Sequence, residues 1–127
     1  IADAVRAPLE GNPAFAGMEI QILDDTAEQY AKLAEWQYHG SVYGVVPAHR
    51  GYLRPTGEWN FEEVVVQGTK VRVNLNGTVI LDADLAQVKQ PPDGREHPGL
   101  RRSEGHIGFM GHGYPVEFRN IRVKKLK

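Results

Sequence analysis

The fold is decided by the stretch KVRVNLNGTVIL at residues 70–81. Apolar and polar residues alternate strictly through residues 70–75, and this period of two is typical of a half-buried β-strand. Asn76-Gly77 follows, and it suits a two-residue type I′ turn because both central positions of that turn need positive φ. We therefore predict a hairpin that joins residues 70–75 to residues 78–81.

The rest of the chain is divided into short runs by 14 glycines and 8 prolines. Residues 59–67 are predicted to form a strand that precedes the hairpin, so that three strands make a meander. Further strands are predicted at residues 15–23, 41–46, 105–110 and 116–124. Within residues 116–124 the apolar side chains move from an even position, Phe118, to the odd positions Ile121 and Val123. This change predicts a bulge near Asn120. Residues 27–36 are the best helical candidate. Many short strands bounded by turn residues favour an all-β sandwich or barrel.

Composition sets the class of protein. A length of 127 residues predicts a single domain over residues 1–127. Fifteen Lys and Arg oppose sixteen Asp and Glu, and no basic stripe is interleaved with aromatics, so nucleic acid is not an expected partner. The absence of cysteine excludes thiol catalysis, disulfides and thiolate metal sites. No apolar run approaches the roughly 20 residues of a membrane span.

The start of the chain bears on processing and location. It opens at Ile1, without a methionine or a signal peptide, so we expect a processed or excised piece. We expect the protein to be periplasmic or extracellular.

The residues most suggestive of chemistry lie in the run MEIQILDD at residues 18–25. In a strand, Glu19 and Gln21 share one face, while Ile20 and Ile22 share the other and are expected in the core. Two polar side chains side by side on a sheet face require water or a ligand there, because burying them unpaired is unfavourable. We predict that they face a groove; the alternative is the polar outer face of an ordinary sheet.

This strand lacks the second carboxylate of a double-displacement glycosidase. Such an enzyme needs two carboxyl groups about 5 Å apart. The next residue on the face of Glu19 and Gln21 is Leu23, and Asp24 points away from that face. The pattern therefore disfavours that mechanism.

Five histidines, at positions 39, 49, 97, 106 and 112, show no His-Glu-x-x-His pattern, so a classical zinc site is disfavoured. His112 lies between Gly111 and Gly113, which leaves its imidazole exposed at a predicted turn. Because histidine titrates near neutrality, His112 is a candidate proton-transfer group. The alternative is an idle loop histidine.

Two long, polar segments, residues 25–40 and 88–102, are predicted as loops outside the sheet, where binding sites usually form. The first carries Trp36 and His39, and exposed aromatic rings such as those of Trp36 and Tyr43 can stack on sugars. Trp59 is expected in the core.

Eight short motifs, in order along the chain, resemble those of the 3-keto-disaccharide hydrolase family, which is built like a concanavalin A-type lectin or glucanase. They are Arg6-Ala7-Pro8-Leu9, Gly17-Met18-Glu19-Ile20-Gln21-Ile22-Leu23-Asp24-Asp25, Gly40-Ser41-Val42-Tyr43-Gly44, Gly57-Glu58-Trp59-Asn60, Leu75-Asn76-Gly77, Gly105-His106-Ile107-Gly108-Phe109, His112-Gly113 and Val116-Glu117-Phe118-Arg119-Asn120-Ile121. The resemblance implies an antiparallel jelly-roll β-sandwich. It also implies that the N-terminal strands of the family domain are missing, so that another chain or a missing segment completes the sandwich.

The resemblance further implies an enzyme that cleaves 3-keto-glycosides by elimination or hydrolysis. A ketone at C3 acidifies the C2 hydrogen, so the site needs one base and electrophilic support. The expected catalytic residues are Glu19 with His112 or His39, and the expected substrate contacts are Arg6, Gln21, Tyr43, Trp36 and Arg119. A divalent metal on Glu19 and Asp24 is an open alternative. A lectin-like carbohydrate-binding module on the same fold is the competing function, because a fold does not fix a function.

Overall fold

A computed structural model describes residues 11–127. Its regular structure is mainly one antiparallel sheet in the order β1-β2-β3, with β1 at Glu62–Gln67, β2 at Lys70–Leu75 and β3 at Thr78–Asp84. One short helix, α1, spans Pro13–Ala16, and single 3₁₀ turns lie at Glu28–Tyr30, Glu35–Gln37, Leu85–Gln87 and Pro98–Arg101. None of the helices between residues 11 and 127 has the length and apolar character of a transmembrane span.

The predicted hairpin is confirmed. β2 ends at Leu75 and β3 begins at Thr78, and the two turn residues have positive φ, 53° at Asn76 and 91° at Gly77. The Asn76 side chain also fastens the turn to preceding loops, because its Nδ2 donates to the Tyr52 carbonyl at 2.9 Å and its Oδ1 accepts from the Phe61 N–H at 2.9 Å. These bonds hold the chain before β1 in a turn, so β1 begins at Glu62 and not at the predicted residue 59.

β3 carries a bulge that the alternation did not predict. Val73 faces Leu81 and Asn74 faces Val79, so Ile80 is an extra residue on β3. Ile80 and Leu81 are consequently both buried, although neighbours in a regular strand lie on opposite faces. The bulge lets β3 place two consecutive apolar residues in one core.

The core lies against one face of β2 and β3. It is formed by Val42, Val45, Ala48, Val71, Val73, Leu75, Ile80, Leu81 and Leu85. The predicted apolar face of β2 therefore supplies three of these nine residues, and the turn around residues 42–48 covers them. Gly40 is needed for this close approach, since its φ is 79° and a Cβ there would overlap the side chain of Ile80.

The strand predicted at residues 15–23 is wrong in its first half. Residues 13–16 form α1, whose start is fixed by Asn12, which accepts from the Ala14 N–H at 3.0 Å, and by Pro13 in the first turn. Only Ile20 forms a bridge to another segment, opposite Val42. The local capping signal of Asn12-Pro13 outweighed the apolar pattern.

The strand predicted at residues 41–46 is a tight turn. The N–H groups of Val45 and Val46 both donate to the Val42 carbonyl, and Gly44 has a φ of 78°. The chain therefore doubles back at Gly44, and Val42 bridges both Ile20 and Val46.

The strands predicted at residues 105–110 and 116–124 do not form. Every residue from 103 to 127 is exposed, and this segment makes no backbone hydrogen bond with residues 11–102. A strand requires a partner to satisfy its backbone, and residues 11–102 supply none here. Asn120 has a φ of 54°, so the backbone does turn where the parity of the sequence changes.

Candidate functional site

Glu19 and Gln21 lie on a short extended segment that runs antiparallel to residues 40–43. The Glu19 carbonyl accepts from the Tyr43 N–H at 2.9 Å, and the Gln21 N–H donates to the Ser41 carbonyl at 3.0 Å. Ile20 opposes Val42 and packs against the core, as predicted. Successive side chains alternate in direction, so Glu19 and Gln21 point away from that core contact, and both are half-buried.

The core position predicted for Ile22 is wrong, because its side chain is 43% exposed. The reason is that the paired segment ends at Gln21. The Leu23 N–H donates instead to Nδ1 of His39 at 3.2 Å, and the Gln21 amide oxygen accepts from the Ile22 N–H at 3.1 Å.

Glu19 and His112 belong to one electrostatic environment. Burial raises the pKa of the Glu19 carboxyl above its ordinary value, and the positive charge on His112 lowers that pKa in part. His112 itself is exposed. The charge of the solvent-reached imidazole therefore acts on the half-buried carboxyl, and a shared catalytic role of the two residues stays a prediction.

Two predicted substrate contacts form an aromatic pair beside Glu19. The rings of Trp36 and Tyr43 meet edge to face, with centroids 5.2 Å apart and planes at 87°. Nε2 of Gln37 donates to the Tyr43 hydroxyl at 3.3 Å. Because the Tyr43 N–H is bonded to the Glu19 carbonyl, this pair lies on the segment next to the carboxylate. An aromatic surface beside a carboxylate suits a sugar ring.

His39 is not a solvent-reached proton shuttle. It is buried, and its Nδ1 accepts from the Leu23 N–H, so the ring proton lies on Nε2 and is donated to Oε2 of Glu62 at 2.6 Å. Its backbone N–H donates to Oδ1 of Asp25 at 2.8 Å. Both ring nitrogens are therefore engaged, and His39 acts as a positioning residue that links the loop of residues 25–40 to β1.

Glu62 is a residue that the sequence reasoning missed. It lies on the same face of β1 as Val64 and Val66, opposite Leu75 of β2. One of its oxygens is held by His39, and its side chain is 21% exposed. The available signal was an acidic residue at an apolar-face position of a predicted strand, which requires a polar partner.

Asp24 serves a local turn. Its Oδ1 accepts from the N–H and hydroxyl of Thr26, and its Oδ2 accepts from the hydroxyl of Thr56 at 2.7 Å. These hydrogen bonds, the hydroxyl of Thr26 first, hold the pKa of Asp24 below its ordinary value. Among residues 11–127 no three His, Cys, Asp or Glu side chains converge to hold a metal ion. The donors present around Asp24 therefore do not fit the metal site considered from the sequence.

Of the two candidate arginines, Arg119 is the one that the described part of the chain contains. The Arg119 guanidinium stacks on the Trp59 ring at 4.0 Å, and Trp59 is 39% exposed, which corrects its predicted place in the core. Trp59 is exposed because its segment precedes β1 and is held by the turn at Asn76. Arg6 lies outside the described residues.

A second histidine–carboxylate pair was also missed. Nε2 of His97 lies 2.7 Å from Oδ2 of Asp93, and both side chains are buried. The Asp93 N–H donates to the Gly44 carbonyl at 3.3 Å, and the His97 ring meets Phe15 of α1 edge on at 5.1 Å. This pair anchors the long polar loop of residues 88–102 to the turn at Gly44 and to α1.

Comparison with known proteins shows the family to which the chain is related. The model of the 3-keto-alpha-glucoside-1,2-lyase-like domain matches residues 4–124. A 3-keto-disaccharide hydrolase of Bacteroides thetaiotaomicron is 31% identical over 126 aligned residues, which cover 85% of this chain and 43% of the relative. The crystal structure of a candidate glycosyl hydrolase from Parabacteroides distasonis has a TM-score of 0.56 and 29% identity, covering 64% of this chain and 43% of that one.

The chain therefore spans less than half of the length of each of these relatives. The family match extends over almost the whole sequence, and it includes the run that carries Glu19 and the segment that carries His112. This chain belongs to the 3-keto-alpha-glucoside-1,2-lyase-like domain family.

Proposed function

We propose that this chain forms part of a carbohydrate-active enzyme that cleaves 3-keto-glycosides by elimination or hydrolysis. The observation that carries the proposal is the half-buried Glu19 carboxyl, whose pKa is raised by burial and which lies within the electrostatic reach of His112. A raised pKa strengthens a carboxylate as a base, and general bases work best when their pKa approaches the operating pH. The name of the family and that of the Bacteroides relative support the substrate class.

In the proposed reaction the C3 ketone makes the C2 hydrogen acidic. The Glu19 carboxylate removes that proton, and the electron pair of the C2–H bond moves to give an enolate whose charge rests on the C3 oxygen. The enolate then re-forms the C3 ketone, a C1–C2 double bond forms, and the C1–O bond to the leaving group breaks. His112 donates the proton that the leaving oxygen requires. Addition of water across the C1–C2 bond completes hydrolysis, and its omission gives elimination.

Electrophilic support for the enolate is proposed from Arg6 or Arg119, since a guanidinium stabilises developing oxyanion charge. Gln21, Tyr43 and Trp36 are proposed to bind the sugar, with the edge-to-face pair of Trp36 and Tyr43 as its apolar wall. His39 takes no part in proton transfer in this proposal. Its role is to hold Glu62.

A lectin-like carbohydrate-binding module is the second candidate function. The Trp36–Tyr43 pair favours it, because aromatic rings bind sugars without any need for a base. The two candidates differ in what Glu19 does: an enzyme needs its carboxylate for turnover, whereas a binding module needs only the shape of the site.

We propose that the active form is a complete jelly-roll sandwich, to which a segment beyond these 127 residues or another chain contributes. This is supported by the share of each relative that the chain covers, 43%, and by the exposed segment of residues 103–127. A periplasmic or extracellular location is part of the same proposal.

The test measures turnover of a 3-keto-α-glucoside by the protein at its full natural length. Release of the leaving alcohol is the quantity recorded. We expect Glu19→Gln to lose activity while sugar binding, measured by calorimetry, remains. Glu63→Gln is the matched control, because Glu63 is an exposed carboxylate on β1. Sugar binding with no turnover by the unmodified protein would instead establish the binding module.

A further inference from the structure

The core-facing side of the sheet is covered over β2 and, by His39, over Glu62 at the start of β1, but it is not covered over Val64 and Val66 further along β1. Val64 lies directly opposite Val73, and Val66 lies opposite Val71, so each pair points to the same side of the sheet. Val73 and Val71 are 0% and 1% exposed, whereas Val64 and Val66 are 38% and 48% exposed. The change from complete burial to partial exposure takes place across a single strand spacing of about 4.8 Å.

The outer edge of β1 is also unpaired within the described residues. β1 is the terminal strand of the sheet, and half of its backbone N–H and C=O groups point away from β2. The opposite edge, on β3, does receive a partner, because the His49 N–H donates to the Ile80 carbonyl at 2.8 Å. No backbone group among residues 11–127 does the same for the outer edge of β1.

We propose that a further β-strand of the same family polypeptide pairs with the outer edge of β1, and that the chain carrying it covers Val64 and Val66. The inference deepens the completed sandwich of the proposed function by naming the edge and the face where completion occurs. The added strand has alternating apolar residues, because it must continue the face of Val64 and Val66 on one side of the sheet. Strand addition satisfies the backbone, and the apolar side chains then extend the core.

The source of that strand follows from the extent of the family match. Each of the two relatives is matched over 43% of its length, so more than half of the family polypeptide is available to supply it. Residues 103–127 need cover of the same kind, since they expose large apolar side chains: Ile107, Phe109, Val116, Ile121 and Val123. One additional segment of the family polypeptide would meet both needs.

A second copy of this chain fits less well. Two β1 strands related by a two-fold axis would satisfy each other's backbone edge. The cover over each sheet does not reach Val64 and Val66, however, so these exposed side chains of both copies would then form one wider apolar strip. Pairing with a copy would therefore enlarge the uncovered surface.

The first experiment compares hydrogen exchange of the β1 amides in the 127-residue chain and in the protein at its full natural length. We expect exchange in β1 to be slower in the full-length protein, and Val64→Lys combined with Val66→Lys to speed it at least about tenfold there. Val79→Lys is the matched control, because Val79 is 45% exposed on the opposite face of the same sheet.

The second experiment applies the same variants to the protein at its full natural length. There the pair Val64→Lys and Val66→Lys should lower the melting temperature, and Val79→Lys should leave it nearly unchanged. Three outcomes would overturn the proposal. They are equal effects of the two sets of variants on the melting temperature, exchange in β1 as fast as in the 127-residue chain, and protection that appears only with self-association. Glu19→Gln should change neither hydrogen exchange in β1 nor the loss of melting temperature that the valine substitutions cause, so a failure of the proposed chemistry remains distinct from a failure of strand addition.

Discussion

Nε2 of His39 lies 2.6 Å from Oε2 of Glu62, while Nδ1 of the same ring accepts from the Leu23 N–H. The two bonds fix one tautomer and join three segments that are distant in sequence. We predict that nitrogen NMR at neutral pH will show a protonated Nε2 and an unprotonated Nδ1 at His39. The reverse tautomer would contradict the hydrogen-bond scheme.

The same relationship predicts a ranking of stabilities. His39→Ala removes a buried ring and leaves the Leu23 N–H without a partner, so we expect it to destabilise the fold by about 2–4 kcal/mol. His49→Ala is the control, because His49 is exposed and should change stability by less than about 0.5 kcal/mol. Denaturant unfolding of the two variants checks this. A loss of unfolding free energy in His39→Ala as small as that in His49→Ala would show that His39 has no structural role.

Glu19 should give the activity an acidic limb. The active form of a base is the carboxylate, so activity falls as the pH drops through the pKa of Glu19, and burial places that fall at a higher pH than for an ordinary glutamate. Removing the positive charge with His112→Gln should move the limb to still higher pH. The pH dependence of kcat/KM measures both. A limb that does not move in His112→Gln would count against electrostatic coupling of the two residues.

The raised pKa of Glu19 also predicts the direction in which the stability of the fold changes with pH. A carboxyl whose pKa is higher in the folded than in the unfolded protein contributes stability that is complete below the unfolded pKa and is lost as the pH rises through the folded one. Glu19→Gln removes this loss, so at neutral pH the variant should melt at a temperature equal to or above that of the parent. Thermal melts at two pH values, one on each side of the titration, test this, with Glu63→Gln as the exposed control.

Glu19 and His112 should also act as a unit in catalysis. Each of Glu19→Gln and His112→Ala is expected to lower kcat by about 10² or more in the full-length protein. The double variant should lose little beyond the worse single variant, because Glu19 serves enolate formation and His112 serves departure of the leaving group, and the slower of these linked steps sets the rate. Losses that multiply in the double variant would show instead that the two residues contribute independently to one rate-limiting step.

The turn at Asn76-Gly77 offers a prediction about the fold alone. Gly77 has a φ of 91°, so Gly77→Ala forces a side chain into a conformation that L residues avoid and should destabilise the protein by about 1–2 kcal/mol. Gly108→Ala is the control, because Gly108 has no positive φ and open space around it. A comparison of the two unfolding curves decides the matter.

The hairpin was predictable from the sequence because its determinants are local. Alternation in β2 and the two residues of the turn suffice to define it, and they hold in the structure. The start of α1 is equally local, since Asn12-Pro13 is a helix-start signal, although the apolar pattern of residues 15–23 taken by itself predicts a strand. The bulge at Ile80 has no such local signal, since it arises from fitting β3 over the core.

The site was predictable only in part. Glu19, Tyr43 and Trp36 do lie on adjacent segments, and His112 acts electrostatically on Glu19. The partner of His39 could not be predicted, because Glu62 is distant in sequence and only the folded chain brings the two together. The same reason explains residues 105–124, where alternation indicated strands but the pairing partner is not among residues 11–102. Alternation shows that a segment is able to form a strand, whereas the presence of a pairing partner depends on the rest of the fold.

The meander of β1, β2 and β3 has a consequence for the order in which the chain folds. Every strand pairing in it joins neighbours along the chain and closes a short loop, which takes microseconds in comparable hairpins. The links from His39 to Glu62 and from His49 to Ile80 span longer loops and close later. The meander is therefore the expected nucleus, and the loops that carry Glu19, Trp36 and Tyr43 assemble on a sheet that has already formed.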